Sequence, residues 1–546
     1  MRKAERNQGV GGGTTVSDGT SVTTSNDVRH HRSLSSLATS EETIPRDLWF
    51  MIAFFASAVI LPLIYLDQPL HFDEGIFLTI GNQLASGETL YADIADHKPP
   101  GVFFVATAVY HLFDAPVVAA RLFTYGVIAG SGLLVVRLGQ QFRGRLEAQV
   151  AGVLFVVMSY LPHFDGFYFM TEPYAVLAML VAAVSFTRDS AISRVGAGVA
   201  LGIGVLFNQT VFLFGATILL YHLLKLRFPE ARTRDHVVET TERILTIGAG
   251  FLATMAAVAT VLYSWGILRE TFYYALVVPL TNYSTPFDLW GHILAFATLL
   301  PVWLLAGGMV LLVGAAVVRG VAVDDRQLFV ALWAVVMSIP GARAFSGDHK
   351  LLFAFPALAL LTAIASTEIY RAAVRNRDQF RDVRAGLPDR SALLAGLLIV
   401  VVFSTTSVAG AGTVYYASNV LEDDIAEERT AAENALDGID GPVYAFNVEA
   451  SLYVHTDTEP RTTYLGTIYS DRIANDKISD LQRNDVRYVA VREFHVTDGN
   501  VVSDRYWSDH KSIMTDYLNR NYEPVDTRGG YVIFERVKGE GGQPRR

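Results

Sequence analysis

The chain of 546 residues contains 0 cysteines. That excludes a disulfide framework, a thiolate metal site and a cysteine nucleophile. No Gly-rich loop follows a predicted strand, so the usual phosphate cradle of a nucleotide site is missing. Basic surplus is missing too. Acids outnumber bases 54 to 44, and much of the excess lies late in the chain, in the run Leu421-Glu422-Asp423-Asp424-Ile425-Ala426-Glu427-Glu428. An acidic exposed segment argues against nucleic-acid binding. Residues 1–46 lack any apolar period and are rich in Gly, Ser, Thr and Asn. They read as a disordered cytoplasmic tail, and without an apolar core they are not a signal peptide.

Apolar residues are what the chain has in plenty: 51% of it is hydrophobic. Uncharged apolar runs of roughly 18 or more residues are candidates for crossing a bilayer. Such runs occupy 48–66, 101–139, 146–162, 173–187, 195–207, 209–225, 244–266, 289–318, 327–340, 351–369 and 392–416. Asp114-Ala115-Pro116 breaks the second run, and Pro301 falls inside the eighth. The expected fold is an all-α polytopic membrane domain over 47–418 with about 11–13 transmembrane helices. Basic connectors at 137–145, 188–194, 225–243, 319–326 and 371–390 are placed on the cytoplasmic side. The connectors at 67–100, 163–173, 208–209, 267–288 and 342–350 are then placed outside a plasma membrane.

The pattern changes after about residue 419. Val443-Tyr444-Ala445-Phe446, Arg487-Tyr488-Val489-Ala490-Val491 and Tyr531-Val532-Ile533-Phe534 read as short buried strands. Helical patterns at 478–483 and 507–521 alternate with them. Residues 419–546 are therefore expected to form a small extracytoplasmic α/β domain.

Chemistry-bearing residues gather in the predicted outer loops. The first loop holds Asp73-Glu74 and then His97-Lys98-Pro99-Pro100. Two adjacent acids tend to point different ways, so one can act as a base while its neighbour orients a partner. The alternative is a solvated carboxylate pair. Lys98 and His97 suit a lipid phosphate by charge and hydrogen bonding, with the prolines fixing the backbone that presents them. The alternative is a lysine that snorkels at a helix end. Glu172 follows the aromatic loop 163–169, either as a third acid or as a carboxylate favoured by a helix start. Arg343, His349 and Lys350 form a later cationic cluster of the kind a phosphate leaving group needs, or a charged connector. No set of residues indicates a metal ion or other cofactor. Asn282-Tyr283-Ser284 matches a glycosylation acceptor motif.

Over 48–370 these residues resemble the GT-C membrane glycosyltransferases, in the branch of the protein O-mannosyltransferases and lipid A aminoarabinose transferases. The resemblance rests on Asp73-Glu74, Gly87, Tyr91, His97-Lys98-Pro99-Pro100 and Arg121, and on a later Arg343, Phe345, His349 and Pro356. Two positions depart from the pattern: Lys350 stands where tyrosine is usual after the later histidine, and Asn208-Gln209 stands where many relatives have lysine before glutamine. The resemblance implies a polyprenyl- or dolichyl-phosphate sugar donor and inverting transfer to a glycan, protein or lipid acceptor. A hexose such as mannose is the expected sugar. Asp73 matches the catalytic acid, with Glu74 and Glu172 supporting it. His97, Lys98, Arg343 and His349 are the candidates for the donor phosphate. A polyisoprenoid-lipid transporter is the alternative, but transporters usually carry inverted repeats and mid-membrane charges. A membrane-anchored binding protein working through its C-terminal domain is a third reading.

Overall fold

The computed structural model describes residues 43–226, 233–282, 296–321, 323–343, 348–375, 424–446, 450–456, 458–468, 470–502 and 511–537. Most of the expected tail, the span at 392–416 and the Tyr283-Ser284 half of the glycosylation motif lie outside the described residues. Backbone contacts divide the chain into a unit ending at Ala53 and a unit from Phe54 onward. Helix α1 (Thr43–Ile60) opens in the first; all later elements belong to the second.

The helices of the second unit are α2 (Phe72–Ala85), α3 (Gly101–Leu112), α4 (Pro116–Phe142), α5 (Arg145–Ser159), α6 (Thr171–Phe186), α7 (Ala191–Phe207), α8 (Val211–Lys225) and α9 (Arg234–Ser264). The short α10 (Leu268–Phe272) and α11 (Val278–Asn282) flank a π-helical turn, and α12 (Leu300–Val318), α13 (Asp325–Arg343) and α14 (Phe355–Arg375) follow. Among the described residues, 4 helical stretches are long and apolar enough to cross a membrane: Asp47–Tyr65, Pro116–Phe142, Arg234–Ser264 and Leu300–Val318. Shorter apolar helices include α3, α6, α7 and α8. This is a mostly helical, polytopic membrane protein.

The break at Asp114-Ala115-Pro116 separates α3 from α4, with Pro116 at the first helical position. Proline is tolerated there because the first N–H groups of a helix have no intrahelical partner. Helix α2 was not expected; the whole of 67–100 reads as a loop. Its residues from Glu74 to Gly81 are buried. Gly81 is what lets α3 approach, since a side-chain carbon there would collide with Ala106.

The C-terminal part carries α15 (Ile425–Leu436), α16 (Ser451–His455), α17 (Asp471–Arg483) and α18 (Lys511–Asn521). Its main sheet has the order β1-β2-β6-β5, from β1 (Val443–Ala445), β2 (Tyr488–Arg492), β5 (Tyr522–Arg528) and β6 (Tyr531–Arg536). Strand β1 runs parallel to β2, and the other neighbours are antiparallel. A two-residue hairpin of β3 (Val496–Thr497) and β4 (Asn500–Val501) lies apart. The three strands read from sequence are the apolar ones. Strand β5 was missed because it is an edge strand, mostly exposed, with Pro524 at an irregularity in its pairing.

One hydrophobic core runs across the boundary drawn at 419. It joins Ile76, Phe77 and Leu78 of α2 and Val102 and Phe103 of α3 to Tyr444, Phe446, Val489 and Phe534. Backbone bonds stitch the same junction. Ala95 N–H donates to Thr463 O (2.6 Å), Leu465 N–H to Ala95 O (2.8 Å) and Ile425 N–H to Asp67 O (2.9 Å). The acidic helix α15 adds a side-chain tie, with Leu70 N–H donating to Glu428 Oε2 at 2.9 Å.

Candidate active site

His71 caps α2. Its ring Nδ1 accepts from the Asp73 N–H (3.1 Å), and its own N–H donates to Glu74 Oε2 (3.3 Å). This capping box fixes the helix start and places Asp73 and Glu74 in the first turn, where the helix dipole favours carboxylates. The two acids then diverge.

Glu74 turns inward and is fully buried. Arg121 of α4 grips it bidentately, with Nε to Oε1 at 3.0 Å and Nη2 to Oε2 at 2.7 Å. Phe169 N–H adds a third bond at 3.1 Å. The rest of the Arg121 guanidinium donates to backbone carbonyls of Leu66 (2.8 Å), Gln68 (2.7 Å) and Pro69 (3.1 Å). All of this binds α2, α4 and the two connecting loops into one frame. A carboxylate so occupied has no capacity left for a substrate proton.

Asp73 turns the other way and meets the Lys98 ammonium at 3.1 Å. Burial alone would raise its pKa. The Lys98 charge outweighs that, helped by His71, His349 and His97, and holds the carboxyl well below the usual range. Lys98 is aimed by its backbone. Tyr91, in the left-handed conformation at φ 64°, donates its hydroxyl to Lys98 O at 2.6 Å. Asp96 Oδ1 accepts the Lys98 N–H at 3.0 Å. His97 meets the C-terminal part, with Nδ1 3.2 Å from Asp96 Oδ2 and 3.5 Å from Tyr464 Oη. Gly466 is required beside them because a side-chain carbon would strike Asp96 Oδ2.

Glu172 begins α6 and is fully buried. Thr171 Oγ1 donates to its Oε2 at 3.0 Å. Asn208, the residue that ends α7, donates Nδ2 to its Oε1 at 3.0 Å, and the Lys350 ammonium reaches that same oxygen. His349 stands between the two acidic groups, with Nε2 3.9 Å from Glu172 and Nδ1 3.9 Å from Asp165. Burial pushes His349 down to about 3, so it is neutral at physiological pH. Asp165 also lies 3.8 Å from His71 Nε2 and takes a left-handed φ of 54°. A non-glycine residue in that conformation carries backbone strain, which tends to persist at functional sites.

Asp73, Lys98, Glu172 and His349 thus fall in one buried cluster where the starts of α2, α3 and α6 meet the end of α7 and the segment before α14. Glu74 abuts it as scaffold, and His97 faces the C-terminal part. Arg343 is the last residue of α13, and its side chain lies outside the described residues, as does Phe345. His71, Asp165 and Asn208, none of them a candidate site residue from sequence, also belong here, and Lys350 of the later cationic cluster joins them. Asn208 stood out from sequence only as a departure from a family pattern. Among the described residues, no group of three or more His, Asp or Glu side chains is placed to hold a metal ion.

Beside the cluster, an apolar cleft of about 1040 Å³ opens between α3 and α4. It runs from Gly101 and Phe207 to Leu112 and Asp114, and Gly101 lies three positions after Lys98 in the chain.

Similar architecture occurs in the crystal structure of ArnT from Cupriavidus metallidurans. In its apo state the TM-score is 0.57 at 14% identity, covering 90% of this chain and 98% of that one. The same protein bound to undecaprenyl phosphate gives 0.55 at 13% identity, covering 90% and 99%. The architecture is GT-C-like. The apo oligosaccharyltransferase of Archaeoglobus fulgidus shares the GT-C-like frame at a TM-score of 0.52 and 11% identity, over 81% of this chain and 69% of that one. No protein-family model matches the sequence, and no curated protein matches it.

Proposed function

We propose that the chain is a glycosyltransferase that moves a sugar from a polyprenyl- or dolichyl-phosphate donor to an acceptor hydroxyl. The observation that carries this reading is the buried pairing of Asp73 with Lys98 beside Glu172 and His349, at converging helix ends in a GT-C-like frame. Buried charges are costly, and a cluster of them seldom persists for stability alone. The apolar cleft next to Lys98 suits an isoprenoid tail. The ArnT structure of similar fold holds undecaprenyl phosphate, a lipid of the class this reading assigns.

In the reaction, Asp73 accepts the proton of the acceptor hydroxyl as that oxygen bonds to the anomeric carbon. The bond from that carbon to the phosphate oxygen breaks, and its electron pair leaves with the lipid phosphate. Attack opposite the leaving group inverts the anomeric centre. Lys98 has two uses for its charge. A donor phosphate draws the ammonium away from Asp73, and a carboxylate that loses this partner becomes a stronger base. Neutral His349 serves as a hydrogen-bond donor to phosphate or sugar, and Arg343 remains a candidate for the phosphate. Glu74 acts through Arg121 as a positioning residue. The site and the C-terminal domain face the extracytoplasmic side of the plasma membrane, with the N-terminus in the cytoplasm. The sugar is a hexose such as mannose, and the acceptor a glycan, protein or lipid.

The test is in vitro transfer by purified protein from radiolabelled polyprenyl- and dolichyl-phosphate hexoses, followed by identification of the labelled product. Label in a glycan, protein or lipid supports the reading. Movement of donor lipid between leaflets with no transferred label replaces it with the transporter.

A further inference from the structure

Glu172 Oε1 is the meeting point of two residues far apart in sequence. Asn208 arrives from the end of α7 and Lys350 from the segment before α14. The Asn208 amide has little freedom, because its Oδ1 accepts the Thr210 N–H at 3.0 Å and its Nδ2 also donates to Thr171 Oγ1 at 2.9 Å. It therefore presents a neutral donor to the carboxylate, and among the described residues the ammonium that meets this oxygen is that of Lys350. An ammonium has three N–H donors. Among the described residues Lys350 donates one hydrogen bond, to Glu172, and an ammonium can donate more. The Lys350 side chain is 14% exposed, so the group is both enclosed and reachable. Burial, with the nearby Lys98 charge adding to it, pulls the Lys350 ammonium pKa down, while Glu172 opposes them. Lys98 and Lys350 thus sit in one cluster, Lys98 against Asp73 and Lys350 against Glu172.

We propose that Lys350 is a second phosphate-binding cation of this site, aimed by Glu172, and that it supplies from the α14 side the charge that Asn208 lacks at the end of α7. The assignment rests on the glycosyltransferase reading. It makes the phosphate bind between two ammoniums, Lys98 and Lys350, each of which can exchange a carboxylate oxygen for a phosphate oxygen. A purely structural Lys350 would only neutralise Glu172.

Undecaprenyl phosphate and dolichyl phosphate in detergent micelles are the probes, and the readout is equilibrium binding to the purified full-length chain. Lys350→Met weakens binding about 10–100-fold, the loss of one charge-assisted hydrogen bond. Lys350→Met leaves the Glu172 carboxylate buried without its cation, so Glu172→Gln/Lys350→Met is measured beside it and shows the same loss. Adding Asn208→Lys to Lys350→Met restores most of the affinity, because an ammonium returns to the same oxygen from the other side. Unchanged affinity in both Lys350→Met and the double variant overturns the role of Lys350 alone. If the wild-type chain binds neither lipid phosphate, the glycosyltransferase reading falls and this assignment with it.

Discussion

Two groups of ion pairs at different helix ends of this molecule use the same side chains to opposite effect. At the starts of α2 and α6, Asp73, Lys98, Glu172 and Lys350 are all at most 14% exposed. At the end of α6, the start of α9 and the α8–α13 junction, Arg243 pairs with Asp189 and Glu239, and Lys225 with Asp325. There the side chains are 26–84% exposed. Both groups have short contacts, so distance does not separate them. Solvent does. An exposed pair exchanges water for protein at little gain, typically about 0–1 kcal/mol. A buried pair must recover a desolvation cost, and it leaves an uncompensated charge when one member is removed. The first group is therefore sensitive to every substitution and the second to few.

The largest effect expected from this contrast is at Arg121, which is fully buried and holds Glu74 together with the loop carbonyls. Arg121→Ala costs about 3–5 kcal/mol by stranding a buried carboxylate. Thermal unfolding and yield in detergent measure it, and a folded variant of wild-type stability contradicts the frame described for α2 and α4. Next comes His349. Its folded pKa lies near 3, below the unfolded value, so the unfolded chain binds the extra proton first. Its contribution is fully present above about pH 6.5 and is lost as pH falls toward the folded pKa. His349→Gln flattens the decline in stability between pH 7 and pH 4 by about 1–3 kcal/mol, read from unfolding midpoints across that range. The smallest effect is at the exposed group. Arg243→Met changes stability by about 1 kcal/mol or less and leaves transfer unchanged. A large loss there would erase the contrast.

Much of the architecture was legible because long apolar runs and a proline break are local signals. Helix α2 was not, because part of what covers it, such as Ala450 against Gly75 and Thr79, lies hundreds of residues downstream. No local period announces a surface covered by a distant segment. The same holds for α15, whose acidic sequence reads as solvent-exposed although Glu428 tethers Leu70 and pairs with His455. At the candidate site, the Asp73-Glu74 pair and its divergence were legible, but what enforces the divergence was not. That depends on Arg121 approaching from α4 and Lys98 from the other side. Asn208 appears in sequence only as a departure from a pattern and Lys350 as part of a distant cationic cluster, and only the fold brings them to one oxygen of Glu172. The shared core also changes how the C-terminal domain can be probed. Deleting 421–546 would strip Tyr444, Phe446 and Phe534 from the core that supports α2, so lost activity in that truncation would not separate a binding role from collapse of the site.

Asp73→Asn gives the most direct test that the buried cluster works on a substrate rather than holding the fold. Transfer from labelled lipid-phosphate hexose and the unfolding midpoint at neutral pH are measured on the same preparation. If Asp73 is the base, transfer falls by roughly 10²–10⁴-fold while the protein remains folded and membrane-inserted. Wild-type transfer by a folded Asp73→Asn protein would contradict it.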